Sequence, residues 1–264
     1  MIIFAGIDGT GPLSDVEYAK EFRTSFVNKL YQRHAWNAKY YQRGPSGDGF
    51  STGTRALFMA NFVRTRYYVG TNDAFAGYLR QNPEQRIPDN PRTHSERPAV
   101  FLCGYSRGGA AAIQAAWHLH EHKIQVDCLI LYDAVDRTNT ITQTSIPPNV
   151  SSCYHAIRNP ATMSRPGFGN CGRTSTPATN YVERTFFCTH GGVGGLPWEA
   201  SNAAGAIDET FGGTTNVTPT TDKLVSQKVF EWMTGHVNSE IRKYTRKSLQ
   251  QAVVRGHSPQ MSEY

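Results

Sequence analysis

Short apolar runs alternate along the chain with segments in which apolar residues recur at helical spacing. The runs Ile2–Ile7, Ala99–Tyr105 and Val126–Tyr132 are the most strongly apolar, which is typical of buried strands. After the first run, breaker residues and then Ser14 and Asp15 mark the start of a helix that we expect to reach about residue 34. This order predicts an α/β fold with a reduced, mostly parallel central sheet flanked by helices.

The other elements are marked less sharply. Further strands are predicted at Ala38–Gln42, 153–157 and 184–188, and helices at 54–68, 73–79, 107–122, 222–236 and 239–253. A polar loop with three prolines is expected at 83–97, and longer loops at about 137–149, 159–180 and 191–221. We expect one domain over residues 1–264, in which the three long loops are candidates for a lid over a site.

Composition narrows the class of protein. Apolar residues make up 39% of the 264 residues and charged residues 18%, so the chain can bury a core. The net charge of +6 is scattered, and no basic run with interleaved aromatics or known binding motif supports a nucleic acid partner. An anionic substrate or an anionic lipid surface fits the same charge. The basic stretch near the C-terminus is compatible with peripheral membrane contact, although a core helix with a solvated charged face explains it as well.

Cysteine usage and the apolar runs bear on location. The five cysteines are odd in number and include no Cys-X-X-Cys pair, which indicates reduced thiols in a cytoplasmic protein. The first residues form a short apolar run without a positively charged start, so we expect a strand and not a signal peptide. No run approaches the roughly 18 apolar residues of a membrane span. Export by a specialised secretion machine would not require a signal peptide and would leave no such segment in the sequence.

The best chemical motif is Gly104-Tyr105-Ser106-Arg107-Gly108, which lies between a predicted strand and a predicted helix. A strand–turn–helix context is what a nucleophile elbow requires, because the turn exposes the serine hydroxyl at a helix N-terminus. The flanking glycines let neighbouring backbone pass without a Cβ clash. The alternative is an ordinary N-cap serine.

A nucleophilic serine needs a base that accepts its proton. His190 follows a predicted strand and enters a Gly-Gly-Val-Gly-Gly segment, so we expect it on a flexible loop at the carboxyl edge of the sheet. Three other histidines, His118, His120 and His122, lie several turns along the helix that starts at Ser106 and are too distant to reach it. His155 lies inside a predicted strand and is read as a packed histidine.

The base in turn needs a carboxylate that orients its ring. Asp133 ends an apolar strand, where its position is well defined, and is the preferred acid. Asp136, three residues further on, is the alternative, and other carboxylates such as Asp208 stay open. A strand-ending aspartate that caps a turn is the competing interpretation.

An oxyanion hole usually takes two backbone amides. The first is expected from Arg107, the residue after the nucleophile, and the second from the loop after the first strand, where Asp8 and Gly9 are the candidates. Glycine in that loop suits a close backbone approach. Asp8 can also hold the loop by accepting backbone amides, and a simple tight turn before a helix remains the alternative.

These motifs together resemble a poorly characterised α/β-hydrolase domain family that includes phospholipase effectors of bacterial type VI secretion. The similar blocks are Asp-Gly-Thr-Gly at 8–11, Gly-Tyr-Ser-Arg-Gly-Gly-Ala at 104–110, Leu-Tyr-Asp-Ala-Val at 131–135 and Thr-His-Gly-Gly-Val-Gly-Gly at 189–195. The resemblance implies that Ser106 is the nucleophile, Asp133 the acid and His190 the base. Two departures concern the substrate: Gly192 stands where the family usually has aspartate, and Arg158-Asn-Pro replaces an acidic segment.

The sequence therefore predicts a serine hydrolase that cleaves a carboxylic ester through an acyl-Ser106 intermediate and needs no cofactor or metal. A lipid-like ester is the expected substrate, which covers the esterase, lipase and phospholipase classes; the oligomeric state is not predicted. Two alternatives stay open, because fold does not decide between them. One is another acyl-transfer enzyme, such as a thioesterase, acyltransferase or peptidase. The other is a binding or assembly module that keeps the elbow without turnover.

Overall fold

A six-stranded sheet forms the centre of the computed structural model, which describes residues 1–33, 35–69, 97–137, 140–199, 205–209 and 212–254. Its strands run in the order β2-β1-β3-β4-β5-β6, and all five pairings are parallel. The strands are β1 (Ile2–Ile7), β2 (Ala38–Gln42), β3 (Ala99–Tyr105), β4 (Val126–Tyr132), β5 (Val150–Arg158) and β6 (Asn180–Phe186).

Helices cover both faces of this sheet. They are α1 (Asp15–Glu21), α2 (Phe26–Tyr31), α3 (Thr52–Val69), α4 (Arg107–Glu121), the short α5 (His190–Gly194) and the long α6 (Pro219–Val254). One core joins α3 and α4 to the sheet, and a second core joins α1, α2 and α6 to the opposite face. The predicted α/β fold with a reduced, parallel central sheet is confirmed.

The strands read as continuous apolar runs because both of their faces are buried. In β1, Ile3, Ala5 and Ile7 belong to the core with α3 and α4, whereas Ile2 and Phe4 belong to the core with α1, α2 and α6. Successive side chains of a strand point to opposite faces, so a strand between two helical layers needs apolar residues at every position. The predicted bounds of the strands β1 to β4 are confirmed.

Strand order decides where a site can form. The chain passes from β1 outwards to β2 and then returns to β3 on the other side of β1. The loops after β1 and β3 therefore leave the sheet in opposite directions and open a crevice at their carboxyl ends, where open α/β sheets bind ligands. Arg107, which follows β3, reaches across to Thr10, which follows β1, with an Nη1–Oγ1 distance of 3.1 Å.

The prediction of one continuous helix from Ser14 to about residue 34 is wrong. It is divided into α1, a 3₁₀ turn at Phe22–Thr24 and α2. Ser25 causes the division, since its hydroxyl accepts the amide of Asn28 as the N-cap of α2 and donates to the carboxylate of Asp8. A serine with two such partners is better satisfied at a helix start than inside a helix.

The two helices predicted after residue 222 form one continuous helix, α6. The break expected at residues 237–238 is absent because Val229, Met233 and Val237 share one buried face through that point. Asn238 also accepts a hydrogen bond from Arg33 Nη2 at 2.6 Å. Tertiary packing thus outweighs the weak helix propensity of this stretch.

The weaker sequence patterns correspond to less regular parts of the molecule. The strands expected at 153–157 and 184–188 are the longer Val150–Arg158 and the shifted Asn180–Phe186, an edge strand with several exposed positions. The third predicted loop contains α5 and a small hairpin, β7 (Asp208–Glu209) and β8 (Gly213–Thr214). The predicted helix at 73–79 and, apart from Arg97, the polar loop at 83–97 lie outside the described residues.

Two further features are plain in the described residues. The five cysteines are all buried, and none of them is in a disulfide. No helix in the described ranges combines the length and the apolar character that crossing a membrane requires.

Candidate active site

Ser106 occupies a strained turn between β3 and α4. Its backbone angles are φ 56° and ψ −129°, a conformation that L-residues rarely adopt. The turn is tight: a Cβ on Gly104 would lie 2.3 Å from the carbonyl oxygen of Gly108, and a Cβ on Gly108 would lie 2.2 Å from the carbonyl oxygen of Asp8. Both glycines are therefore required by close backbone contacts, and the Ser106 side chain is directed out of the turn.

His190 and Asp133 meet Ser106 in a chain of hydrogen bonds. The distance from His190 Nε2 to Ser106 Oγ is 2.9 Å, and the distance from His190 Nδ1 to Asp133 Oδ2 is 2.6 Å. Because Nδ1 faces a carboxylate, it carries the ring proton of neutral His190, and Nε2 is left to accept the serine proton. The structure thus brings together the three residues singled out from the sequence.

His190 lies on an ordered helix and not on the flexible loop expected from its glycine-rich surroundings. It is the first residue of α5, whose N-cap Thr189 accepts the amide of Gly192 at 2.9 Å. The His190 amide donates to Ser164 Oγ at 2.8 Å, and its carbonyl accepts from Tyr105 Oη at 3.1 Å. The ring is therefore held by contacts on both sides of its backbone.

Asp222 supports this helix from a distance of 33 positions in the sequence. Its carboxylate accepts the amide and the hydroxyl of Thr189 at 2.6 and 2.9 Å, and the amide of Trp198 at 2.9 Å. A Cβ on Gly192 would lie 2.4 Å from Asp222 Oδ1, which explains a glycine at that position. The sequence reasoning missed Asp222; its place in the first turn of a helix was the only local signal.

Asp133 is fully buried and has hydrogen-bond partners in addition to His190. Its Oδ2 accepts Arg158 Nη1 at 2.6 Å, and its Oδ1 accepts Asn170 Nδ2 at 2.7 Å. Arg158 is itself buried and also donates to the carbonyl oxygens of Ser164, Arg165 and Phe168. The sequence reasoning missed Arg158 as a partner of the acid, although it ends β5 at the same carboxyl edge of the sheet.

These contacts determine the ionisation of the pair. Burial alone would raise the pKa of Asp133, but the hydrogen bond and charge of His190, together with the charge of Arg158, hold it well below its usual range. Burial lowers the pKa of His190, and Asp133 only partly opposes this. The arrangement favours a charged carboxylate beside a neutral imidazole, which is the state a general base needs.

The carboxylate beside the His190 ring belongs to Asp133 and not to either alternative acid. Asp136 is half-buried and comes after the β4 end, whereas the carboxylate that contacts His190 Nδ1 belongs to Asp133. Asp208 is exposed in the β7 strand.

His155 is buried in β5, where its Nε2 accepts the amide of Ala134 at 3.1 Å. Burial lowers the pKa of His155 to about 4. A packed, neutral histidine was the expectation there.

The loop after β1 differs from the expectation for an oxyanion hole. The amide of Asp8 donates to the carbonyl of Gln42 at 3.1 Å, so it is not free to receive a substrate oxyanion, and we correct that assignment. The amide of Gly9 donates to Asp8 Oδ1 at 3.1 Å. Thr10, the next residue, lines the cavity together with Ser106 and Arg107.

Asp8 instead organises this loop through its side chain. Its carboxylate accepts the hydroxyls of Ser25 and Tyr41, the latter at 2.9 Å, in addition to the Gly9 amide. Tyr18 Oη donates to the carbonyl of Gly9 at 2.6 Å. Burial raises the pKa of Asp8 to about 7, although its hydrogen bonds oppose the shift.

A cavity of about 670 Å³ opens beside Ser106 and His190. Each of the three long loops expected from the sequence contributes to its lining, through Arg137, Phe168 and Trp198. The other lining residues are Thr10, Glu21, Phe22, Gly47, Tyr105, Arg107, Val135, Arg165, Gly191, Leu196 and Glu209. Among the described residues, no three His, Cys, Asp or Glu side chains are grouped as a metal site would require.

Similarity to known proteins is found among solved structures. No protein-family model matches the sequence, and no curated protein does. An uncharacterized protein from Pseudomonas aeruginosa has a similar structure, with 13% identity and a TM-score of 0.43 over 93% of this chain and 52% of that one. The Tle1 effector bound to the VgrG spike of the type 6 secretion system is similar at 13% identity and a TM-score of 0.37, over 74% of this chain and 51% of that one. The chain thus spans about half the length of either protein.

Proposed function

We propose that this protein is a serine hydrolase that cleaves carboxylic esters through an acyl-Ser106 intermediate. The observation that carries the proposal is the hydrogen-bond chain from Asp133 through His190 to Ser106, at 2.6 and 2.9 Å. A serine in a strained turn beside the cavity, an imidazole that accepts its proton and a carboxylate that fixes the tautomer are the parts that acyl transfer requires. The adjoining cavity has room for a substrate of moderate size.

In the first half of the reaction, Ser106 Oγ attacks the ester carbonyl carbon while His190 Nε2 takes the hydroxyl proton. The carbonyl oxygen becomes an oxyanion, for which the amide of Arg107 is the first proposed donor and the amide of Thr10, in the loop after β1, is the second. The oxyanion then re-forms the carbonyl, the bond to the alkoxy group breaks, and His190 returns the proton to the leaving alcohol. The acyl group is left on Ser106.

In the second half, water takes the place of the alcohol. His190 removes a proton from the water, whose oxygen attacks the acyl carbon. Collapse of the second tetrahedral intermediate breaks the bond to Ser106 Oγ, which recovers its proton from His190, and releases the carboxylic acid. Asp133 stays ionised throughout and stabilises the imidazolium that forms twice in the cycle.

A lipid-like ester is the substrate class we favour. Phe22, Leu196 and Trp198 give the cavity apolar surface suited to an acyl chain. The motif resemblance to a family with phospholipase members points the same way. On the same resemblance, we propose that a specialised secretion system delivers this protein. We also propose that the chain is a single domain in which the three long loops act as a lid over the cavity.

The test is hydrolysis of p-nitrophenyl esters of several chain lengths by the wild type and by the variants Ser106→Ala, Asp133→Asn and His190→Ala. Each variant is expected to lose at least about 10³-fold in kcat while keeping its circular dichroism spectrum. Because the pKa of His190 is lowered from 6.5, the acid limb of kcat/KM is expected below that pH.

Matched controls separate these roles from general damage. Ser151→Ala and His118→Ala replace the same residue types away from the cavity, and we expect wild-type turnover from both. Asp136→Asn tests the alternative acid and is expected to retain activity. If Ser106→Ala turned esters over at the wild-type rate, or if a fluorophosphonate left the folded protein unlabelled at Ser106, ester hydrolysis at this site would be excluded and a binding module would take its place.

A further inference from the structure

One side of the cavity is built from two arginines and an aromatic ring. The guanidinium carbons of Arg137 and Arg165 lie 4.6 and 5.3 Å from the centre of the Phe168 ring. Phe168 meets the ring of His190 edge to face, with the centres 5.5 Å apart. We call Arg137, Arg165 and Phe168 the arginine clamp. The two arginines of the clamp therefore contact the same Phe168 ring that contacts His190, the proposed base.

The guanidinium groups of the clamp lack acceptors. Within the described part of the chain, neither Arg137 nor Arg165 donates a side-chain hydrogen bond. Arg165 Nε is buried and lies 3.8 Å from Glu209 Oε1, which is too long for a hydrogen bond. Glu209 instead accepts the hydroxyl of Ser164 and the amide of Arg165, each at 2.9 Å. A buried donor without an acceptor is costly, so an acceptor from outside the chain that reached Arg165 Nε would stabilise the clamp.

A third arginine adds to the positive charge. Arg107 Nε donates to the carbonyl of Arg137 at 3.1 Å, and this contact brings the two like-charged residues together. Burial and, next, the charge of Arg137 lower the pKa of Arg107. The lining holds three arginines and two glutamates, Glu21 and Glu209, which leaves one positive charge in excess when His190 is neutral. A bound anion would relieve this repulsion.

We propose that the ester substrate carries an anionic group, a carboxylate or a phosphate, which binds to the guanidinium groups of Arg137 and Arg165. The proposal rests on the ester hydrolysis proposed above, because the clamp belongs to the same cavity. Planar guanidinium groups hold either anion through paired hydrogen bonds. With the apolar lining described above, the substrate class is an amphiphilic ester whose negative charge lies near the scissile bond.

Binding tests the clamp without any need for turnover. Titration calorimetry with octyl phosphate and with octanoate, each below its micelle concentration, is expected to detect binding to the wild type. Arg137→Gln is expected to weaken it at least about tenfold, since a charge-assisted hydrogen bond is lost. Arg137 is exposed, so its replacement leaves the core intact. The tighter ligand identifies the anion as a phosphate or a carboxylate.

Arg173→Gln is the matched control. Arg173 is an exposed arginine that pairs with Glu183 away from the cavity, at 2.6 Å, and its loss is expected to leave both affinities unchanged. Equal affinities for wild type and Arg137→Gln, or no binding of either ligand to the wild type, would overturn the proposal.

Turnover separates this inference from the proposed function. The p-nitrophenyl monoester of glutarate and p-nitrophenyl pentanoate have acyl groups of the same carbon number but differ in charge. The ratio of kcat/KM for the anionic over the neutral ester is expected to fall about tenfold in Arg137→Gln. Hydrolysis of both esters with an unchanged ratio would count against the clamp. Binding that depends on Arg137 without hydrolysis of either ester would support the clamp and refute the proposed function.

Discussion

Replacing Arg158 with methionine is expected to destabilise the protein strongly, because it leaves the Asp133 carboxylate without its cation. The Arg158 and Asp133 side chains are 6% and 0% exposed, and their closest N–O distance is 2.6 Å. Removing one partner of such a buried pair typically costs about 3–5 kcal/mol. Methionine replaces only the aliphatic part of the side chain, and it also leaves three backbone carbonyls without the donor that Arg158 supplies. We therefore expect a loss in the upper part of that range.

The chain contains a matched comparison for this variant. Arg173 pairs with Glu183 at the same 2.6 Å, but these side chains are 56% and 20% exposed. A pair so accessible to water is worth about 0–1 kcal/mol. Arg173→Met is therefore expected to lose less than about 1 kcal/mol. The difference between the two variants reflects burial of the pair together with the three carbonyl contacts of Arg158.

Urea unfolding monitored by circular dichroism measures both losses, provided that the slope with denaturant is unchanged. The double variant Asp133→Asn/Arg158→Met is expected to lose less than the sum of the single variants, because both charges are then gone. If Arg158→Met fails to fold, Arg158→Lys keeps the charge and is expected to retain part of the stability. A loss for Arg158→Met no larger than that for Arg173→Met would refute the reasoning.

Two further predictions concern the elbow and the loop after β1. Gly104→Ala places a Cβ 2.3 Å from the Gly108 carbonyl oxygen, so we expect it to lower the free energy of unfolding by about 1–3 kcal/mol. Gly235 is exposed in α6 with open space around it, and Gly235→Ala is expected to raise the free energy of unfolding by about 0.5–1 kcal/mol. Thermal and urea melts test the pair, and equal effects would contradict the steric argument. The Asp8 pKa, raised to about 7, implies a contribution to stability that is complete below pH 4 and lost as pH rises through 7. Asp8→Asn lacks this contribution, so its stability relative to the wild type should improve from pH 4 to pH 8; a constant difference across this range would show that Asp8 titrates normally.

Local sequence was enough to predict the parts of the fold that are buried on both sides. The apolar runs of β1, β3 and β4 have the predicted bounds because strands between two helical layers admit few polar residues. Since parallel strands end at one edge, the residues after Tyr105 and Tyr132 could be expected near each other without any knowledge of the structure. This is why Ser106 and Asp133 were singled out correctly as neighbours at one edge, while their catalytic roles remain a proposal.

Only the tertiary structure decided which distant groups support that edge. The contacts of Arg158 with Asp133 and of Asp222 with Thr189 join positions 25 and 33 residues apart, and no local pattern marks either partner. The same holds for Ser25, whose contact with Asp8 divides a helix that periodicity alone would continue. Hydrophobic periodicity records which face of an element is buried. The pairing of buried polar groups depends on where the packed elements bring them, and the sequence by itself does not contain that in any local form.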